Sequence, residues 1–209
     1  MRLYYFTAWE HACENIQNHR IKISDPRDLN DPFEFVPFKL KFNDSPQRRE
    51  TLKWHIDNSG KGIICFSRSY ASPLMWAHYS RNHSGICIGF DVNPDLLVKV
   101  RYRGDMMAID ETRLTGQVVQ RMLSTKYNQW IYEKEERVFV QMDKNLAGIQ
   151  YESFSDDIRP AEVIIGIRSD KGNEVVDAVQ KSGLTLKVYK ARSSLSAFRV
   201  ERFEFFAFI

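Results

Sequence analysis

The run most able to do chemistry is Trp130 to Val140, WIYEKEERVFV. Glu133, Glu135 and Arg137 fall on alternate residues, so an extended chain points all three to one side. Two carboxylates that close repel. One should hold its proton more tightly unless Arg137 or a ligand compensates. Such a pair can do acid/base work or steady a cation; a charged start to a strand with an internal ion pair is the competing reading. A second candidate is NDPFE, Asn30 to Glu34. Asp31-Pro32 favours a turn, and Asn30 and Asp31 can bond nearby amides. Phe33 and Phe35 would anchor that turn, whereas Glu34 between two rings calls for a buried base. A third is CFSRS, where an apolar strand delivers Ser67, Arg68 and Ser69 at its end, a common place for ligand contacts or simply a solvated strand end. The fourth is MWAHYSRNH. On a helix, Trp76 and Tyr79 share a face, and His78 is spaced to act as a base or ligand. A lone helical His is more often a packing residue. There is no HExxH and no second His four residues away, so the metalloprotease pattern is absent.

These groups need elements to hold them. LYYF reads as a strand, and Thr7 with Glu10 fits a capping box for a helix carrying Trp9, Ala12, Cys13 and Ile16 inward. RIKIS alternates like a half-buried strand, and PFKLKF is a further candidate. Ser45-Pro46 and Ser72-Pro73 pair a cap with a first-turn proline, predicting an exposed helix over SPQRRETLKWHIDN, ended by Gly60 and Gly62, and another over SPLMWAHYSRNH. IICFS, GICIGFDV, KVRYR and EVIIGI read as strands. Leu114, Val118 and Met122 predict a helix from about Asp110 to Tyr127, with a strand over Arg137 to Gln141 after it. NEVVDAVQKSG is a helix stopped by Gly183. LTLKVYKA and FRVERFEFFAF read as strands, though Phe203, Phe205, Phe206 and Phe208 leave the apolar face of the last ambiguous. Many short strands with scattered helices predict a single α+β domain over residues 1–209, with short mixed or antiparallel sheets and flanking helices.

Composition sets the bounds. The 209 residues are 43% hydrophobic, 27% charged and 13% aromatic, which suits a folded domain with a substantial core. A net charge of +3 from 30 basic and 27 acidic residues does not by itself argue for nucleic acid. The clusters at Arg48-Arg49, Arg101 to Arg103 and Arg192 to Arg202 read as solvated faces. Cys13, Cys65 and Cys87 are odd in number, widely spaced and without a CxxC pair, against a disulfide framework or zinc ribbon. With no export signal or long apolar run, the expectation is a cytoplasmic protein without a membrane span.

The segments LYYF, IKISDPRDLNDPFEF, IICFSRS, PLMWAHYSRNHSGICIGFD, KYNQWIYEKEERVF and EVIIGI, in this order, resemble the bacterial and phage family called domain of unknown function 2971. The resemblance carries over onto Asn30, Asp31, Pro32, Glu34, Ser67, Trp76, His78, Tyr79, Lys126, Trp130, Glu133, Glu135 and Arg137. The opening strand and helix also look like the start of ADP-ribosyltransferase folds, which bind NAD in a cleft between two small sheets. One clade there uses an Arg, a Ser-x-Ser and a Glu-x-Glu, matched here by Arg2, Ser67-Arg68-Ser69 and Glu133-Lys134-Glu135. That likeness implies NAD as substrate, no metal, and a protein or nucleic-acid target. Glu135, Glu133 and His78 would be catalytic. Tyr4 or Trp76 would cover the nicotinamide, with Asn30, Asp31, Glu34, Ser67, Arg68, Tyr79, Lys126 and Arg137 in the binding surface. Two other classes compete: a metal-dependent nuclease or hydrolase using Asp31, Glu34, His78 and Glu135, and a non-enzymatic phage accessory or defence module in which these charges only hold the fold. Oligomeric state is not written in these features. The reading makes one spatial expectation: Glu34 or Asp31, His78 or Tyr79, and Glu135 or Arg137 should surround one pocket.

Overall fold

Apolar runs too short for helices but rich in β-branched and aromatic residues form the strands, and the cap-plus-proline signals start two of the helices. A computed structural model describes residues 1–34, 38–40, 45–110 and 113–204, apart from the side chain of residue 55. In chain order the elements are β1 (Arg2–Thr7), α1 (Trp9–Gln17), β2 (Arg20–Lys22), β3 (Phe38–Leu40), α2 (Pro46–Asp57), β4 (Lys61–Ser67), α3 (Pro73–Tyr79) and β5 (Ile86–Val92). There follow β6 (Leu97–Lys99), β7 (Arg101–Arg103), β8 (Met107–Ile109), α4 (Gly116–Met122), β9 (Thr125–Tyr127) and β10 (Glu135–Gln141). The rest are β11 (Tyr151–Ser153), β12 (Ile158–Ile165), α5 (Gly172–Ser182), β13 (Lys187–Ser193) and β14 (Val200–Glu204). Short 3-10 turns cover Pro26–Asp28, Pro32–Glu34, Pro94–Leu96 and Asn128–Glu133. The fold is α+β.

Eight strands make one mixed sheet in the order β14-β13-β12-β5-β1-β4-β10-β6. Only β12 and β13 run parallel within it. One face is covered by α1 and α5, whose Ala12, Ile16, Val175 and Val179 pack on Leu3, Phe66, Ile88, Phe90 and Val163. The other face carries two separate apolar clusters. Trp76 and Met75 of α3 pack on Phe6, Cys87 and Ile164. Leu52 and Ile56 of α2, with Val119 and Met122 of α4, pack around Phe38 and Ile63. Between the clusters lies a seam, because β1 and β4 share a single register pair, Tyr4 with Ser67, while β1 and β5 share six. The ADP-ribosyltransferase likeness implied two small sheets; here one sheet is held across its middle by that one rung.

A row of paired residues crosses the seam: Glu162, Gly89, Tyr4, Ser67 and Glu135, on β12, β5, β1, β4 and β10. Directly paired residues on neighbouring strands share a face. Gly89 is needed because the Glu162 side chain fills its place; a Cβ there would sit 2.5 Å from Glu162 Cγ. Glu162 is buried and paired with Arg202 and Arg2, so it has little freedom to move. Gly89→Ala should therefore cost about 1–3 kcal/mol. Thermal unfolding checks this, and an unchanged midpoint would show that Glu162 can swing aside.

Several local expectations change. The helix expected over 110–127 shrinks to α4, with β8 before it and β9 after, because Lys126 and Thr125 are drawn into an extended pairing with β7. Helix α1 starts at Trp9 behind Ala8 with no side-chain cap, so Thr7 completes β1 instead of capping. Helix α2 ends at Asp57, and it buries Leu52 and Ile56. Strand β10 begins at Glu135, two residues early. The expected KVRYR strand breaks into β6 and β7 around Val100. Phe35, Phe42, Phe205, Phe206 and Phe208 lie outside the described residues. Among the described residues, no helix is long and apolar enough to cross a membrane.

Candidate active site

Five charged side chains meet at the seam, all buried: Glu34, Lys126, Glu133, Glu135 and Arg137. They arrive from four local structures. The Asp31 carboxylate accepts the Phe33 backbone N–H at 2.9 Å and starts the 3-10 turn that aims Glu34 inward. Lys126 comes from β9, paired with Tyr102 of β7. Glu135 and Arg137 stand on one side of β10, as alternation requires. Glu133 is not on that strand. It ends a 3-10 turn, and Lys134 takes a left-handed conformation (φ 47°) that swings the chain into β10. The Ser67 hydroxyl donates to the Glu133 backbone carbonyl at 2.6 Å and fixes that corner.

Arg137 is 1% exposed and uses its whole fork. Nε donates to Glu135 Oε1 at 2.7 Å, one terminal nitrogen donates to the Leu123 carbonyl at 2.6 Å, and the other reaches Glu135 Oε2 at 3.1 Å and Glu34. Lys126 Nζ pairs with Glu34 at 2.8 Å, with Glu133, and with Glu135 at 3.4 Å, and lies 5.0 Å from the Trp130 ring centre. The Tyr79 hydroxyl donates to Glu133 Oε1. The Glu135 backbone N–H donates to the Tyr102 hydroxyl at 2.9 Å.

Three carboxylates against two cations leave one negative charge when all five are ionised. The environment divides it unequally. Burial works to raise both Glu133 and Glu135. At Glu135 the adjacent Arg137 and Lys126 outweigh burial and hold the carboxyl at about 2. At Glu133 burial wins over Lys126, with Glu135 adding repulsion, and the carboxyl rises to about 7. Burial pushes the Tyr79 phenol and the Cys65 thiol far up, so neither ionises near neutrality.

The cluster floors a cavity of about 280 Å³ lined also by Tyr4, Tyr5, Phe6, Thr7, Asn30, Cys65, Ser67, Met75 and Tyr79. His11 and Lys22 line it as well, with Ser24 and Asp28. Of the residues singled out in the sequence, Tyr4, Asn30, Glu34, Ser67, Tyr79, Lys126, Glu133, Glu135 and Arg137 gather here. Four do not. Trp76 is fully buried, edge-on to Phe6, with its indole N–H on the Tyr70 carbonyl at 2.6 Å. His78 sits among the rings of Tyr79, Trp130 and Tyr132. Arg68 pairs with Glu136 on the opposite side of the sheet, with Nε at 2.6 Å. Asp31 caps its turn. Arg2 pairs with Asp91 at 2.9 Å and with Glu162, away from the cavity. The metal-ligand set Asp31, Glu34, His78 and Glu135 is thus not assembled, and among the described residues no group of three metal-ligating side chains is placed to hold an ion. Sequence reasoning missed Lys22, Cys65 and Tyr102. The alternation in RIKIS and KVRYR carried a partial signal, since Lys22 shares a side with Ser24, and Tyr102 falls opposite the exposed basic positions.

Residues 75–138 match a family model described as "Protein of unknown function (DUF2971)". The match runs from α3 into β10, so it takes in Tyr79, Lys126, Glu133, Glu135 and Arg137, while Glu34 and Ser67 precede it. No curated protein and no solved structure matches the chain.

Proposed function

We propose that the seam cavity of this chain, whose residues 75–138 match the DUF2971 family model, binds NAD and transfers its ADP-ribosyl group in the manner of an ADP-ribosyltransferase. The observation that carries this reading is the pair of cavity carboxylates driven apart in proton affinity, Glu135 low and Glu133 high, beside the row Tyr4, Ser67 and Glu135. Paired carboxylates with separated affinities divide the work of glycosidic-bond chemistry. With Glu133 ionised, the floor has one negative charge more than its own bases neutralise. A cationic pyridinium satisfies it, and the aromatic walls suit a flat ring.

The bond that breaks joins nicotinamide nitrogen to ribose C1, and its electron pair leaves with the nicotinamide, which becomes neutral. Positive charge then grows on the ribose, where the ionised Glu135 stabilises it. An acceptor oxygen or nitrogen forms the new bond to C1 and gives its proton to Glu133, whose affinity near neutrality suits a base. Tyr79 and Lys126 hold Glu133 in place.

Nicotinamide release from NAD, followed by chromatography, tests the reading. Glu133→Gln should slow release by about a hundredfold or more, and Glu135→Gln should abolish it while both variants remain folded by circular dichroism. Folded wild-type protein that neither binds NAD in calorimetry nor releases nicotinamide would refute it.

A further inference from the structure

Lys99, Arg101 and Arg103 alternate with Val100 and Tyr102, and the fold keeps that alternation. The three basic side chains are exposed, Val100 is buried, and Tyr102 turns its hydroxyl to Glu135. Arg121, on the exposed side of α4, joins them: Lys99, Arg101 and Arg121 line one open depression of about 530 Å³ with Gln117, Gln120 and Ser124. No acid lines it. Among the described residues, none of Lys99, Arg101, Arg103 and Arg121 is within ion-pair distance of a carboxylate; Arg103 reaches only the Asp105 backbone carbonyl, at 3.4 Å. Four basic side chains left without acids on one stripe are unusual here, since Arg2, Arg27, Arg68, Arg137 and Arg202 all have acidic partners.

The stripe leads to rings. Arg103 and Lys126 line the next cavity, about 250 Å³, with Phe33, Met106, Tyr127 and one acid, Asp105. Phe33 is 58% exposed and Tyr127 49%. The turn that sends Glu34 into the charged floor thus presents Phe33 outward, on the other side of the Glu34–Lys126 pair.

We propose that this surface binds single-stranded nucleic acid, with the phosphates along Lys99, Arg101, Arg103 and Arg121 and a base against Phe33 and Tyr127. Cations that lack acids attract the backbone, and exposed ring faces stack on unpaired bases of any sequence. A duplex keeps its bases from those rings, and an apolar partner gains nothing from the basic stripe. The strand would pass close to the cavity, because the Val100 N–H donates to the Glu135 carbonyl at 3.1 Å. The proposal concerns the partner and does not depend on the chemistry assigned to the cavity.

Fluorescence anisotropy with short fluorescein-labelled oligo-dT and oligo-U, over a salt series, tests it. Wild type should bind with a log–log salt slope of about −2 to −3, the value for three to four neutralised phosphates on a single strand. The triple variant Lys99→Gln/Arg101→Gln/Arg121→Gln should bind at least about tenfold more weakly with a shallower slope. Phe33→Ala/Tyr127→Ala should lose about tenfold at an unchanged slope. A control with equal charge loss elsewhere, Arg168→Gln/Lys181→Gln/Lys187→Gln, should stay near wild type. Circular dichroism confirms that each variant is folded. No binding at the lowest salt overturns the proposal. So does equal loss in the control triple, tighter binding to a duplex of the same length, or full competition by inorganic tripolyphosphate with no effect of the two ring substitutions.

Discussion

Arg137→Met should lower the unfolding free energy by about 3–5 kcal/mol, because it leaves buried carboxylates facing no cation. The guanidinium serves Glu135 twice, Glu34 once and the Leu123 carbonyl once, at 1% exposure. Lys126 alone cannot serve three carboxylates already crowded around it. A domain with a total stability of about 5–15 kcal/mol would lose a large share. Arg137→Lys should fall between, since a point charge replaces a planar fork. The second site sets the interpretation. Glu34→Gln combined with Arg137→Met removes one of the stranded charges and should recover part of the loss, so the two substitutions should couple by about 0.5–3 kcal/mol. Urea unfolding at pH 7 measures both, with the slope m unchanged if only the native state is affected. A loss under about 1 kcal/mol would mean that water reaches the seam.

How much of this arrangement the sequence disclosed depends on the range of the cause. Ser45-Pro46 marked the start of α2, and the apolar runs marked β4, β5 and β12, because capping and burial patterns are local. NDPFE, Tyr79 and the two glutamates were legible as polar groups set among rings, and Lys126 through the family resemblance alone. Their convergence was expressible only as an expectation, because Glu34 and Arg137 meet across 103 residues. The left-handed Lys134 was not legible. Extended-strand reasoning put Glu133 and Glu135 side by side on β10, whereas a kink supplies Glu133 from a turn. Trp76 and His78 misled for the opposite reason. Their helical spacing was right, but α3 is short and rests on the sheet, so Trp76 is consumed by packing and His78 by neighbouring rings. The Arg101 to Arg103 cluster was legible, yet it read as a solvated face, because which bases pair with acids is a property of the folded surface.

Raising the pH from about 5 to about 7.5 should destabilise the protein, and Glu133→Gln should remove most of that dependence. Glu133 has its carboxyl raised from 4.5 to about 7 in the folded chain. Between those values the native state binds a proton that the unfolded chain has released, so stability falls as pH rises through that window. The fall amounts to about 3 kcal/mol on the scale of 1.36 kcal/mol per unit. Glu135 behaves oppositely. Its carboxyl is lowered from 4.5 to about 2, so its contribution is complete above 4.5 and is lost as pH falls through 2. The two together put the site's stability maximum near pH 4.5 to 5, with the neutral side governed by Glu133. Gln keeps the shape, its carbonyl oxygen can accept from Lys126 while its NH2 donates to the Tyr79 hydroxyl, and it carries no charge to lose. Urea unfolding at intervals from pH 5 to 8 should therefore show a declining wild-type curve and a nearly level Glu133→Gln curve, with the variant the more stable of the two at pH 8. Groups common to both proteins cancel in the difference. Parallel curves would mean that Glu133 is ionised throughout, and the charge imbalance at the seam would then have to be met by some group other than this carboxyl.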